Sequence, residues 1–266
     1  MAWIQTGSTI CFKPYSLEVA LRGLSAAGFE NVEIGAVKGF LEHLDPDDLT
    51  PRTIEETRSL LDGHGLRVVS MSGHAQLHLD EGRDRLRRVL HAGKELGIFV
   101  LNTFTGDAGT TAERAAFFQN ARALADEAEQ LGVLLCIETD SNLMPTAEAG
   151  RRLLAEIGHD WIRINYDPGN VVYYTGTRPE DDIKLALGRI GHVHLKDKRG
   201  GRDVLDFPPL GDGDLDLPSI LHDLELSGFD GPVSMEIEYV NYEYPDWDAC
   251  VEAARRGKAY WDSLPA

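Results

Sequence analysis

Cysteine is scarce in this chain of 266 residues. Cys11, Cys136 and Cys250 stand far apart, are odd in number and show no CxxC spacing. No disulfide framework can be read from them, and they suit reduced, partly buried thiols in a cytoplasmic protein. Basic residues are also few, 26 against 44 acidic, for a net charge of -18. An acidic surface repels phosphate backbones, which argues against nucleic acid as a partner. No uninterrupted apolar run reaches membrane-spanning length, and "MAWIQTGSTI" lacks the basic start and apolar core of a secretion signal, so no membrane association is expected. No GxGxxG or Walker sequence follows an early strand, which disfavours a doubly wound nucleotide-binding sheet. Linker-like and low-complexity stretches are missing too, and the chain reads as one domain over residues 1–266.

What is present is one repeated theme. Strand candidates fall at 3–11, 31–35, 67–73, 98–104, 133–140, 161–167, 190–197 and 232–239. Amphipathic stretches alternate with them. In "DRLRRVLHAGKELG" the apolar residues Leu86, Val89, Leu90 and Leu96 form a helical stripe. Gly28, Gly65, Gly97, Gly132, Gly158 and Gly228 each sit where a helix would end before a strand. Eight strands alternating with about eight helices predict a single closed (β/α)8 TIM barrel.

A barrel of this kind places its chemistry at the carboxyl ends of its strands. With side chains alternating at period two, the fifth strand carries Cys136, Glu138 and Asp140 on one face. The sixth carries Asn165 and Asp167, the seventh His192, His194 and Lys196, and the eighth Ser234, Glu236 and Glu238. Glu138, Asp167, His194 and Glu236 would then converge at the mouth. Carboxylates meeting there repel one another unless a cation lies between them. Three carboxylates and an imidazole make an oxygen-rich set suited to Mn²⁺, Mg²⁺ or Co²⁺, with Zn²⁺ left open. Taken singly, an acidic residue at a strand end more often is solvated or caps a helix. Four in register on successive strands are harder to obtain by chance. His192, deeper in its strand, reads as a packed or supporting group. Glu238 reads as a rim or substrate contact, and a register offset of two would exchange it with Glu236.

Other candidates follow from position. Glu33 lies near the expected end of the second strand and His74 just after the third, so both are expected to reach substrate hydroxyls from the mouth. Lys196 shares a face with His194 and suits a developing oxyanion. A solvated rim charge, a loop histidine and a salt bridge are the respective plain alternatives. The stretch "KRGGRDVLDFPPLGDGDLD" is long enough to cover a ligand, with Arg199 or Arg202 available to an anion. Tyr239, Tyr242, Tyr244 and Trp247 cluster after the eighth strand, as a pocket wall, a subunit contact or ordinary packing.

The segments "IETDSN", "YDPGNV", "GHVHLKD", "PPLGDGDLD" and "GFDGPVSMEIE" resemble the sugar phosphate isomerase/epimerase group of xylose isomerase-like barrels. The resemblance covers essentially the whole chain, with its sharp motifs in the second half. It implies one divalent metal held by Glu138, Asp167, His194 and Glu236. Glu138 and Glu236 become the acid/base pair, acting on a small keto-sugar through an enediolate. A lyase dehydrating a keto-inositol or keto-sugar from the same site is the neighbouring alternative. A non-catalytic sugar-binding barrel and an apurinic-site endonuclease are more distant ones. The group's tendency to assemble implies a homo-oligomer. Two positions depart from the epimerase pattern. Asn170 stands where a histidine is common, and Met144 where a second glutamate is common. Asn170, still placed to touch substrate, therefore implies a different sugar.

Overall fold

A computed structural model describes residues 3–140, 143–239 and 244–264. Eight parallel strands form its centre: β1 Ile4–Ser8, β2 Asn31–Val37, β3 Arg67–Ser72, β4 Val100–Thr103, β5 Leu134–Glu138, β6 Ile162–Tyr166, β7 Ile190–Lys196 and β8 Pro232–Glu236. Each pairs with the next, and β1 pairs with both β2 (Gly7↔Val32) and β8 (Ile4↔Pro232), which closes the barrel. A two-residue strand, Leu41–Glu42, folds back antiparallel on the end of β2.

The α-helices among the described residues are α1 Leu17–Ala26, α2 Pro51–His64, α3 Asp80–Leu96, α4 Thr111–Leu131, α5 Ala147–Ile157, α6 Pro168–Thr175, α7 Pro179–Asp182, α8 Leu217–Leu226 and α9 Trp247–Ser263. Their limits follow local chemistry. Thr110 and Glu113 make reciprocal bonds that start α4, and Gly132 ends it with φ 66°. The stripe on α3 is confirmed, with Leu86, Val89 and Leu90 buried against the barrel. Along β7, Val193 and Leu195 join the apolar core, while His192, His194 and Lys196 meet polar partners inside the barrel. None of the described helices is long and apolar enough to cross a membrane.

The expected strands are all present, but several end earlier. The first stops at Ser8, and Thr9–Phe12 forms a 3₁₀ turn instead of continuing to residue 11. The fifth ends at Glu138 and the eighth at Glu236. Asp167 is not a strand residue: it caps α6, accepting the Asn170 N–H, with Pro168 in the first helical turn. Proline fits there because that N–H would have no helical partner.

Two irregularities aim side chains. Between β6 and β7 the pairing steps from Ile164↔Ile190 to Asn165↔His192, leaving Gly191 as an extra residue. Between β2 and β3 it steps from Val32↔Val68 to Glu33↔Ser70. The second step sets Ser70 against Glu33, with Oγ donating at 2.8 Å.

Candidate metal centre

Glu138, Asp167, His194 and Glu236, all buried, come from the carboxyl ends of β5 to β8, and one ligand atom of each lies within 4.8 Å of the others. The convergence expected from strand alternation is therefore observed. Glu138 Oε1 lies 2.6 Å from His194 Nδ1, and its Oε2 lies 2.6 Å from His74 Nε2. Burial raises the Glu138 carboxyl, but the His194 and His74 imidazoles outweigh it and hold the group well below the usual range. Glu236 accepts from Ser8 Oγ at 3.3 Å and lies 3.0 Å from Lys196 Nζ.

Asp167 experiences the opposite balance. Burial pushes its carboxyl up to about 7; Lys196 opposes the rise, and the Glu138 and Glu236 charges add to it. Its Oδ1 accepts the Asn170 N–H at 2.9 Å. Oδ2 is buried and accepts no hydrogen bond, although Lys196 Nζ is 2.9 Å away. The ammonium pairs with it by charge, outside hydrogen-bond geometry. A buried carboxylate beside two further carboxylates and an imidazole, with one lysine ammonium set against the three negative charges, fits a divalent cation.

Lys196 is a buried hub, with Glu238 Oε1 at 3.5 Å as its third carboxylate. Burial lowers its ammonium, yet Asp167, Glu238 and Glu236 raise it well above the ordinary lysine value. The salt-bridge alternative thus describes it, although it also lines the cavity. Glu238 lies past the end of β8; burial raises its carboxyl and Lys196 opposes this.

Glu33 corrects an expectation. It is fully buried in the first half of β2 and does not reach the mouth. Its oxygens receive Asn102 Nδ2 at 2.7 Å, Ser70 Oγ at 2.8 Å and His194 Nε2 at 2.8 Å, with His192 Nε2 at 3.0 Å. Burial raises Glu33, but His194 and His192 hold it well below the carboxylate range. His192 fits its expected supporting place, with Nδ1 2.9 Å from Asn165 Oδ1 and Nε2 3.2 Å from Ser70 Oγ. Glu33, His192 and His194 also cluster closely enough to suit a cation. The donors around Glu33 already satisfy it, so this layer reads as a hydrogen-bonded floor under the ligand cluster.

Above the floor opens a cavity of about 560 Å³ that exposes Glu138, His194, Lys196, Glu236 and Glu238. His74 and Asn170 line it as well. Met144 is wholly buried, with its sulfur beside Gly150, and is not part of the wall. Arg199 and Arg202 do not line the cavity: Arg199 binds Asp206 Oδ2 at 3.1 Å, and Arg202 pairs with Asp203 at 3.5 Å. Leu205 and Phe207 of the same loop do line it. Tyr239 and Tyr244 border an adjoining cleft, Trp247 donates to the Val19 carbonyl at 3.3 Å in ordinary packing, and Tyr242 lies outside the described residues.

Sequence reasoning placed Asn165 on the inward face but overlooked Ser70 and Asn102 of the inner polar layer and the wall residues Phe104, Tyr173 and Tyr174. Polar side chains within otherwise apolar strands were the available signal for the former. The latter sit on a loop and on α6, where no periodicity marks direction.

Known proteins with this architecture carry related activities. The chain is 25% identical over 196 residues to an L-ribulose-5-phosphate 3-epimerase, UlaE, of Salmonella paratyphi C, covering 68% of each. It resembles the structure of D-allulose 3-epimerase from Methylomonas sp. in complex with D-allulose, at 20% identity and TM-score 0.77, covering 99% and 98% of the two chains. The probable 3-DHS dehydratase AsbF of Bacillus anthracis matches at 17% identity and TM-score 0.77, over 98% of this chain and 100% of that one. The expectation of an enzyme is met at this level, since these relatives are named epimerases and a dehydratase. The family model described as xylose isomerase-like TIM barrel matches residues 21–260, and the chain belongs to that family.

Proposed function

We propose that this protein is a divalent-metal-dependent isomerase or epimerase of a small keto-sugar or related polyol, acting through an enediolate. The observation that carries this reading is the buried cluster of Glu138, Asp167, His194 and Glu236 beneath an open cavity. Those four residues would hold the ion, Mn²⁺ by preference for an oxygen-rich set, with Mg²⁺, Co²⁺ or Zn²⁺ as alternatives. When bound, the ion supplies Lewis acidity to the substrate carbonyl and a counter-charge to the enediolate.

The chain's own groups do the rest. Glu138 on β5 and Glu236 on β8 flank β6 and β7, so they address a ligand from different sides. One carboxylate takes the proton from the carbon beside the carbonyl, and the other returns a proton to the opposite face. His74 and His194 fix the orientation of Glu138, while Ser8 and Lys196 fix that of Glu236. The Lys196 ammonium also faces negative charge developing on a substrate oxygen. His74, Asn170 and Glu238 are placed to bind hydroxyls. Glu33 acts from below, through His194, without touching substrate.

The test is proton exchange. Ketoses incubated with Mn²⁺-loaded protein in D₂O are followed by NMR at the carbon next to the carbonyl. Metal-dependent exchange is expected, reduced roughly 10²–10⁴-fold in Glu138→Gln and in Glu236→Gln. Exchange that ignores both substitutions, or its absence for every ketose and keto-inositol tried, contradicts the reading. Product mass separates isomerisation from dehydration, because only the latter loses water.

A further inference from the structure

The charges around the cavity restrict the ligand further. Three Lys or Arg side chains line it, and each already has carboxylate partners. Lys38 lies 2.9 Å from Asp45 and 3.5 Å from Glu42. Arg85 is held by Asp47 at 3.2 Å and Glu81 at 2.8 Å. Lys196 is shared among Asp167, Glu236 and Glu238. Against these stand Glu138, Asp140, Glu236 and Glu238 on the same wall.

Barrels often bind phosphate with the loops after their seventh and eighth strands, through backbone N–H groups. Here such amides follow β7 in the stretch "GDGDL", but the chain's own carboxylate fills them. Asp197 Oδ2 accepts from Gly211 N at 2.9 Å and Gly213 N at 3.0 Å; Oδ1 accepts from Lys198 N at 2.8 Å and Leu215 N at 3.3 Å. The neighbouring cations are committed as well. Lys198 Nζ donates to the carbonyls of Arg199, Gly200 and Val204. Arg199 is tied to Asp206 and to the Asp212 carbonyl. Lys13 stands in the adjoining cleft, with its ammonium 3.5 Å above the Phe40 ring. The residues outside the described set include no lysine, arginine or histidine.

We infer that this cavity takes an uncharged polyhydroxy ketone and discriminates against its phosphate ester. This specifies the substrate class of the proposed isomerase and rests on that reading for where the ligand sits. A phosphate dianion lying away from the ion would meet Asp140 and Glu238 and, among the described residues, neither a lining Lys or Arg free of carboxylates nor an open amide nest after β7, an arrangement that like-charge repulsion disfavours. A neutral ketose lacks that penalty, and its hydroxyls suit the carboxylates as hydrogen-bond acceptors. The cavity therefore differs in kind from one built for a sugar phosphate, the ligand class for which the relative UlaE is named.

Calorimetry on the Mn²⁺-loaded protein with matched pairs tests this: D-fructose against D-fructose 6-phosphate, and D-ribulose against D-ribulose 5-phosphate. For at least one pair the free ketose is expected to bind at least ~10-fold tighter than its ester, with inorganic phosphate failing to displace it. Lys13→Ala should leave that ratio unchanged. An ester that binds as well as its ketose, displacement by inorganic phosphate, or ester binding that depends on Lys13 overturns the inference. So does failure of both members of every pair to bind. Preferential ketose binding without proton exchange in D₂O would sink the isomerase reading while leaving the inference about charge standing.

Discussion

At the scale of single residues, the arrangement turns on which atoms of His194 are occupied. Glu33 holds Nε2 at 2.8 Å, with Glu236 Oε1 3.6 Å from the same nitrogen, while Nδ1 lies 2.6 Å from Glu138. A carboxylate behind a ligating histidine fixes its tautomer and ring orientation, and losing it commonly costs 10–100-fold in metal affinity. Glu33→Gln is accordingly expected to weaken Mn²⁺ binding by about that factor in calorimetry, with the far-ultraviolet circular dichroism unchanged. An unaltered affinity would leave the carboxylate without this role. A second residue-scale consequence concerns acid stability, away from the cluster. His43 has Nε2 3.1 Å from the Tyr15 carbonyl, and burial lowers its imidazole from 6.5 to about 4. A depressed folded value means that the unfolded chain takes up the proton first as pH falls. Stability from His43 is therefore full above about pH 6.5 and is lost as pH drops toward 4, on the order of 3 kcal/mol in all. Urea unfolding at pH 7 and pH 4.5 should show a smaller acid loss in His43→Asn than in wild type. An equal loss in both would assign the acid sensitivity elsewhere.

At the scale of elements, β7 shows how the strand pattern becomes a site. Its alternation made His192, His194 and Lys196 legible as one face, and the same rule gave Glu138 and Glu236. The extra residue Gly191 could not be read in advance, because bulges leave no periodic mark. A Cβ added there would lie 2.6 Å from Leu134 Cδ2, 2.7 Å from Arg163 Cβ and 2.9 Å from Cys136 Sγ. Gly191→Ala should destabilise by about 1–3 kcal/mol through overpacking, visible as a lower urea midpoint at unchanged slope. No change in midpoint would mean that the barrel floor has room the structure does not show. Strand ends were the less legible feature. The alternation of "INYD" continues past the last ladder bond, so Asp167 looked like a strand residue, yet it serves as the cap of α6. Glu33 was misplaced for a related reason. β2 extends to Val37, two residues beyond the expected end, so a residue thought near the mouth lies in the first half of the strand.

At the scale of the whole molecule, the barrel brings together four candidate ligands separated by up to 98 positions, Glu138 to Glu236, which no local sequence window displays. Their order along the chain was still informative, since successive strands of a parallel barrel are spatial neighbours. Closure by β1 against β8 then sets Ser8 beside Glu236, a contact spanning 228 positions that the strand pattern alone did not indicate. The polar floor, the ligand cluster and the cavity form three levels along the barrel axis, and the account stands or falls on the middle one. Elemental analysis of purified wild type and of Asp167→Asn, after loading with Mn²⁺ and removal of free ion, tests it most directly. The account predicts about one divalent ion per chain in wild type and a marked loss in the variant. Wild type that holds no ion after exposure to Mn²⁺, Co²⁺ and Mg²⁺, or a variant that holds as much as wild type, would contradict it.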